Sequence, residues 1–407
     1  VNTKPKIEEF YRALLTEKPE VSVIIEQTIE FSDEVTCDEN TFQIAPSKKQ
    51  GEISALIPPD IATCKICLAE IEDEKNRHYN YPFTNCTNCG PRFSIIKQLP
   101  YDRKNTTMDE FEMCPDCKEE YKTISDRRFH AQPNACPECG PQISLFKKEN
   151  DTVNKIAHSE NSLEKTINLL KSGEILAIKG LGGFHIVCDA LNIGTVKKLR
   201  KLKSRPQKPF ALMADKISTI EKYCFVSKEE RKMLSGQQKP IVLLKRKSKN
   251  SLPQIAPEIS HLGFMLPYTP LHYLLLREMH LLVMTSGNVA NEALEKENDS
   301  AYKNLSKYSK YFLIYNRKIF NRVDDSVVKF CGKEKIIIRK ARGFTPFPIK
   351  LKSRSSVPLD SIMKEAKSGI QPSKSIELSR PSEIKKIKAF HGINQGPFPD
   401  DEPIFAA

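Results

Sequence analysis

CTNCGPRFSI (Cys86–Ile95) and CPECGPQISL (Cys136–Leu145) are near-copies set fifty positions apart. Each is preceded by another C-x-x-C pair, Cys64/Cys67 and Cys114/Cys117, so the four pairs are separated by 18, 24 and 18 residues. A C-x-x-C turn points two thiolates to one side of a tight knuckle, and two such pairs make a tetrahedral Zn(Cys)4 site. Eight thiolates therefore suit two structural zinc ions, with no coordination position left open for chemistry. The duplication runs beyond cysteine: Arg77 matches Arg127, Gly90-Pro91 matches Gly140-Pro141, and Pro82 and Pro133 each precede a pair. Repetition of this kind marks each copy as one folding unit. It favours sequential pairing, with Cys64, Cys67, Cys86 and Cys89 at one zinc and Cys114, Cys117, Cys136 and Cys139 at the other. A nested pairing stays open on spacing alone. The competing chemistries are a disulfide or redox framework and an Fe–S cluster. The equal 18-residue spacings favour zinc over both. His78 and His130 are read as surface or interface residues, because each site already has four thiolates.

The remaining composition frames this module. At 407 residues the chain has room for about two to three domains. With 39% hydrophobic and 28% charged residues it suits a soluble protein with real cores. No apolar run nears the length of about 20 residues that a membrane helix needs. The opening VNTKPKIEEF carries no apolar signal region, so a reducing cytoplasm and no membrane association are expected. A formal charge of +13 favours polyanionic ligands such as nucleotides, phosphates or RNA.

Outward from the cysteines, the chain reads as a multidomain α+β protein. Helical spacing over Ile7–Lys18 and a β-branched run over Val21–Phe31 suggest the back half of a small α+β domain within residues 1–55. SKKQGE (Ser47–Glu52) is expected as linker or hairpin turn, and the zinc module occupies residues 56–148. FKKENDTVNK (Phe146–Lys155) reads as a charged connector. Between 160 and 350, helices alternate with apolar strands. SLEKTINLLKSG, TVKKLRKLKSR and YTPLHYLLLRE read as helices; EILAIKG, PIVLLKR and HLLVMTSGN read as strands. Residues 351–407 are expected to be linker and largely disordered tail.

Three clusters in this last region carry polar chemistry. In KKLRKLKSRPQKPFALM, Lys203 and Arg205 leave a helix end where Pro206 forces an extended exit, and two long cations so placed can grip phosphate oxygens. In MTSGN, Ser286 and Asn288 end an apolar strand, where small hydroxyl and amide groups can meet a ligand. NRVDDSVVKF and IIIRKARGFTPFP offer Arg322, Asp325, Ser326, Arg339 and Arg342. GLGGFH (Gly180–His185) lets backbone approach a ligand, although no G-K-[ST] follows to make a Walker loop. No Ser-His-Asp set and no H-E-x-x-H is evident.

Together these stretches resemble the hydrogenase-maturation carbamoyltransferase family, HypF. The residues that carry the resemblance are NCTNCGPRFSI, RRFHAQPNACPECGP, IKGLGGFH, K-x-R with KPFALM, LPYTPLH, TSGN, NRVDDSVV and the I-R-x-A-R-G-F-x-P ending, across about residues 55 to 350. The resemblance implies an acylphosphatase-like segment, the double zinc module and a YrdC-like nucleotide-binding domain, in that order. It implies that carbamoyl phosphate and ATP, with Mg²⁺, give carbamoyl adenylate and pyrophosphate. The carbamoyl group then passes to the C-terminal cysteine of a HypE-type partner. By the same resemblance, Lys203 and Arg205 act catalytically as the phosphate grip. Lys179, His185, Ser286, Asn288, Ser326 and Arg339 contact the nucleotide, and the YrdC-like fold suggests double-stranded RNA affinity. The family's complete acylphosphatase domain and its large C-terminal transferase domain have no full counterpart. A truncated or split product that forms the adenylate without completing transfer is therefore expected. The rivals are a tRNA threonylcarbamoyl-adenylate synthase, which lacks the zinc duplication, and a non-catalytic zinc protein that binds RNA.

Overall fold

In the computed structural model, residues 4–18, 22, 24 and 56–349 are described. Helix α1 (Lys4–Thr16) forms where helical spacing places it, yet its apolar residues Phe10 and Leu14 are exposed. The run Val21–Phe31, apart from Ser22 and Ile24, lies outside the described residues, as do Ser47–Glu52 and the tail from Lys350 to Ala407.

The two zinc copies fold alike because each first C-x-x-C opens a helix. Cys64 is the N-cap of α2 (Lys65–Glu72), and Cys114 is the N-cap of α3 (Pro115–Lys122), with Pro115 pre-set for the first turn. The third residue of each helix is the second cysteine, so both sulfurs face one side. Only the later pairs, Cys86/Cys89 and Cys136/Cys139, lie outside helices as knuckles.

The two copies then diverge. The ISL of the second copy begins strand β1 (Ile143–Glu149), which turns at Asn150, φ +53°, into β2 (Thr152–His158). The stretch Phe146–Lys155, expected as a charged connector, is thus a β-hairpin. Its alternating charges sit at the edge of a sheet, where lysines and glutamates face water. β1 also pairs antiparallel with β9 (Tyr311–Tyr315), so the zinc module runs into the main sheet without a linker.

The rest of the α/β region follows in chain order. Helix α4 (Glu160–Lys171) leads to β3 (Leu176–Lys179) and β4 (Phe184–Asp189), then α5 (Ile193–Leu202), β5 (Ala211–Ala214), α6 (Ile217–Glu221) and α7 (Lys228–Ser235). After these come β6 (Ile241–Lys245), β7 (His261–Met265), α8 (Pro270–Leu276), β8 (Leu281–Ser286) and α9 (Asn298–Asn304). The chain then returns through β9 to β10 (Val327–Cys331) and β11 (Glu334–Arg339). Among the described residues the eleven strands form one mixed sheet, ordered β11-β10-β6-β7-β5-β8-β4-β3-β9-β1-β2.

Both faces of the central strands are covered, which is why those strands read as apolar runs. Ala177, Ile186, Leu212 and Val283 face Val196 and Leu199 of α5 and Ala301 and Leu305. Leu176, Ile178, Met213 and Leu282 face Ile167 and Leu170 of α4, α8, and the zinc-module residues Tyr81, Phe83, Ile95 and Met108. The zinc module is therefore one wall of the sheet's core. No described helix is long and apolar enough to cross a membrane.

Candidate functional site

The cysteines group as the sequence duplication suggested: Cys64, Cys67, Cys86 and Cys89 converge, and so do Cys114, Cys117, Cys136 and Cys139. Sulfur–sulfur separations are 3.6–3.8 Å in both groups. Four sulfurs at a Zn–S distance of about 2.3 Å on a tetrahedron stand about 3.8 Å apart. Both groups fit a closed structural zinc, and all eight are free thiols rather than disulfides.

The arginines that match across the repeat are exchanged between copies. Arg77 of the first copy donates from Nη2 to Cys114 and Cys117 of the second, at 3.5 and 3.3 Å. Arg127 of the second donates to Cys64 and Cys67 of the first, at 3.3 and 3.2 Å. Glu70 and Glu120 hold these arginines and Arg128 in place. His78 is 1% exposed between the copies, where burial and then Arg128 and Arg77 push it down to about 3. His130 is exposed. Neither is needed as a ligand.

At the far end of β8 the sequence builds a cationic site. Lys203 is the C-cap of α5, and Ser204 follows in the left-handed region at φ +46°, turning the chain back so that Arg205 points the same way. Lys203 Nζ donates to the carbonyls of Ser286 (2.8 Å) and Asn288 (3.4 Å), over the Tyr308 ring. Arg205 Nη1 donates to Thr285 Oγ1 at 3.1 Å, and its Nε has no partner. Ser286 Oγ donates to Asn288 Oδ1 at 2.8 Å. Gly287 lets this loop lie on β4: a Cβ there would stand 2.7 Å from the Phe184 carbonyl oxygen.

Among the described residues neither Lys203 nor Arg205 has a carboxylate partner. Burial, then Arg205, Lys307 and Lys208, push the Lys203 ammonium down to about 8. Burial, then Arg200 and Arg339, push Arg205 down to about 10. Two half-buried cations that disfavour their own charge make a site suited to phosphate oxygens. Arg339, on exposed edge strand β11, is near enough to be felt by Arg205 and is paired with Asp324.

The other expected contacts lie elsewhere. Ser326 is fully buried, its Oγ donating to Arg342 O at 2.9 Å and accepting from Ala341 N at 2.7 Å. Its hydroxyl ties the β10 strand to the loop after β11. His185 is 4% exposed with Nε2 3.2 Å from Asp325 Oδ2, and Arg342 Nε donates to Asp325 Oδ1 at 2.8 Å. Arg342 and then His185 hold Asp325 well below the usual carboxylate range against its burial. Lys179 is 3% exposed and donates to the carbonyls of Tyr315 and Arg317, at 3.2 and 3.0 Å. Lys203, Arg205, Ser286 and Asn288 therefore come together and Arg339 stands near them; His185 pairs with Ser286 through the backbone, but the side chains of Lys179, His185 and Ser326 bond elsewhere. Sequence reasoning missed Thr285, which stood visible beside Ser286, and Tyr308 and Arg317, whose neighbours only packing reveals.

Two family profiles match this chain. One, described as "Telomere recombination", covers residues 168–341; the other, described as "HypF finger", matches once over 63–96 and again over 113–146, one copy each. The chain is 46% identical over 312 residues to carbamoyltransferase HypF of Synechocystis sp., covering 76% of this chain and 40% of that protein. To the probable carbamoyltransferase HypF of Methanocaldococcus jannaschii it is 42% identical over 351 residues, 86% of this chain and 45% of the relative. A crystal structure of full-length HypF in a phosphate- and nucleotide-bound form superposes with a TM-score of 0.78 at 45% identity, covering 86% of this chain and 45% of that one. HypF of T. kodakarensis superposes at 0.72 with 41% identity, covering 86% and 44%. The chain thus spans less than half the length of these relatives. On its doubled finger, its sheet and these matches, the chain belongs to the HypF family.

Proposed function

We propose that this chain forms carbamoyl adenylate from carbamoyl phosphate and ATP, as the activating part of a HypF carbamoyltransferase. The supporting observation is the Lys203–Arg205 pair, held over the Ser286–Asn288 loop with no carboxylate partner among the described residues. An ATP triphosphate with its Mg²⁺ supplies the anion such a pair lacks. In the proposed step, an oxygen on the carbamoyl carbon bonds to the α-phosphorus while the β-phosphate leaves as pyrophosphate. Water takes up the phosphoryl group of carbamoyl phosphate, which is released as phosphate. Lys203 and Arg205 neutralise the charge that collects on the α- and β-phosphate oxygens, an electrostatic role that needs no proton transfer. Ser286 and Asn288 orient the nucleotide, and Arg339 swings from Asp324 to the leaving pyrophosphate. His185 and Ser326 position the surrounding strands from within the core.

Both zinc ions are structural in this proposal, since their ligand sets are closed. Residues 1–55 are assigned to an acylphosphatase-like segment, 56–148 to the zinc module and 160–350 to a YrdC-like domain, with the hairpin bridging the last two. Onward transfer to the C-terminal cysteine of a HypE-type partner in the cytoplasm belongs to the same proposal. The phosphate- and nucleotide-bound form of the related HypF supports a nucleotide site in the family. ATP–pyrophosphate exchange tests the proposal. Exchange that requires carbamoyl phosphate and is lost in Lys203→Ala and Arg205→Ala is expected. Exchange supported instead by threonine with bicarbonate, or unchanged in both variants, would overturn it.

A further inference from the structure

A second pair of cations stands apart from the phosphate grip. Arg317 is 4% exposed and Lys179 is 3% exposed, and among the described residues neither forms an ion pair. Charges so deeply buried are ordinarily paired, because removing an ion from water is costly. Arg317 Nε has no hydrogen-bond partner, and its guanidinium lies over the rings of Phe83 and Tyr315, 5.5 and 5.4 Å from their centroids. Lys179 Nζ lies 4.6 Å from the Tyr315 ring centroid and is spent only on two backbone carbonyls. Two carboxylates are near: buried Asp60, with one oxygen accepting from Arg92 N and from Ser94, and exposed Glu297, which acts on Lys179 and pairs with Lys296. Among the described residues neither carboxylate forms an ion pair or hydrogen bond with Arg317 or Lys179.

Both cations line a single cavity between the zinc module and the sheet. Phe83 and Pro91 come from the first zinc copy, and Gly180 and Tyr268 come from the α/β region. The cavity holds about 40 Å³. One water needs about 10–15 Å³ of such space, so the cavity suits a group of about three waters' size. A carboxylate or a phosphate fits that volume. Lys179 ends β3 and Ser286 ends β8, with only β4 between them and both strands running the same way. The cavity and the Lys203–Arg205 pair therefore lie toward the same ends of these strands.

We propose that this cavity is a binding site for one small oxyanion, of carboxylate, bicarbonate or phosphate type, held between Arg317 and Lys179 and walled by the first zinc finger. The site rests on the unpaired cations and the cavity, and stands whether or not the chain makes an adenylate. Burial and then Arg317 push the Lys179 ammonium down to about 8, as expected where the counter-ion is a ligand rather than a side chain. The finger thereby acquires a role beyond shape, because Phe83 and Pro91 close the cavity only while the zinc holds their copy folded.

The test uses the full zinc-loaded chain carrying Lys203→Ala and Arg205→Ala, which removes the phosphate grip as a competing site. Inorganic phosphate, bicarbonate and acetate are each titrated by equilibrium dialysis with labelled anion. Saturable binding of one equivalent of at least one anion is expected. Phosphate alone would identify a tetrahedral ligand, whereas bicarbonate or acetate would identify a planar one. Arg317→Met and Lys179→Met should each weaken binding by about tenfold or more, as loss of a charge-assisted contact requires. Arg317→Lys should retain part of it, and chelating the zinc should abolish it. No saturable binding by any of the three, or binding indifferent to both Met variants, would overturn the site. Should those variants fail to fold, crystals of the unaltered chain soaked in phosphate or acetate decide the matter: density at Arg317 Nε supports the site, and density only elsewhere refutes it.

Discussion

Replacing Arg77 by alanine should weaken the zinc site of the other finger and spare its own. In the folded chain Arg77 donates to Cys117 at 3.3 Å and Cys114 at 3.5 Å, and pairs with Glu120 at 2.8 Å. A Zn(Cys)4 centre carries two net negative charges, so a guanidinium against two of its sulfurs offsets charge that the interior would otherwise disfavour. A hydrogen bond to a charged group contributes about 1.5–3 kcal/mol. The Arg77 side chain is 29% exposed, which places it at the low end of that range. About 1.5 kcal/mol corresponds to about tenfold in zinc affinity. The assay is competition with a chromophoric zinc chelator, which should release two equivalents in two phases. Cadmium-113 NMR of the substituted protein assigns each phase. For Arg77→Ala, the site of Cys114, Cys117, Cys136 and Cys139 should lose metal about tenfold more readily while the other is unchanged. Arg127→Ala should give the mirror result. Weakening of the variant's own copy, or of both sites equally, would refute the exchanged-arginine account.

Other consequences concern the sheet and its edge. Lys203 is charged only below its lowered value of about 8, so ATP affinity should fall as pH rises through 8, by about tenfold one unit above it. Calorimetric titration at pH 7 and 9 measures this, and Lys203→Met should flatten the profile. Gly287→Ala forces a Cβ to within 2.7 Å of the Phe184 carbonyl oxygen, which should cost about 1–3 kcal/mol in thermal or denaturant unfolding and displace the Ser286–Asn288 loop. Met108→Ala removes a zinc-module side chain, 1% exposed, from the core it shares with the sheet. It should lower stability of the whole unit in one transition by about 2–5 kcal/mol, rather than melt the fingers separately.

The sequence made the zinc sites legible because ligand chemistry is local: Cys64 to Cys139 announce themselves by spacing, and the duplication pointed to the sequential pairing that the sulfur distances bear out. The Lys203–Arg205 pair was readable for a similar reason, since both residues sit at a helix end fixed by Pro206. The hairpin from Ile143 to His158 was hidden because KKEND is what both a solvated linker and a charged sheet edge look like. Burial was not readable at all. Nothing in FHIV or DDSV distinguishes a ligand-facing His185 or Ser326 from residues locked into the core, and only the pairing with Asp325 and Arg342 does. Arg317 is the clearest case: an arginine in YNRK reads as surface, and long-range packing on Phe83 and Tyr315 buries it.

The most direct test of the proposed chemistry is detection of the product itself. The chain is incubated with carbon-13-labelled carbamoyl phosphate, ATP and Mg²⁺, and the quenched mixture is examined by mass spectrometry. A labelled carbamoyl adenylate formed together with pyrophosphate, and absent with Lys203→Ala, is the result this account predicts. ATP left intact, or cleaved to ADP without any labelled adenylate, would contradict it.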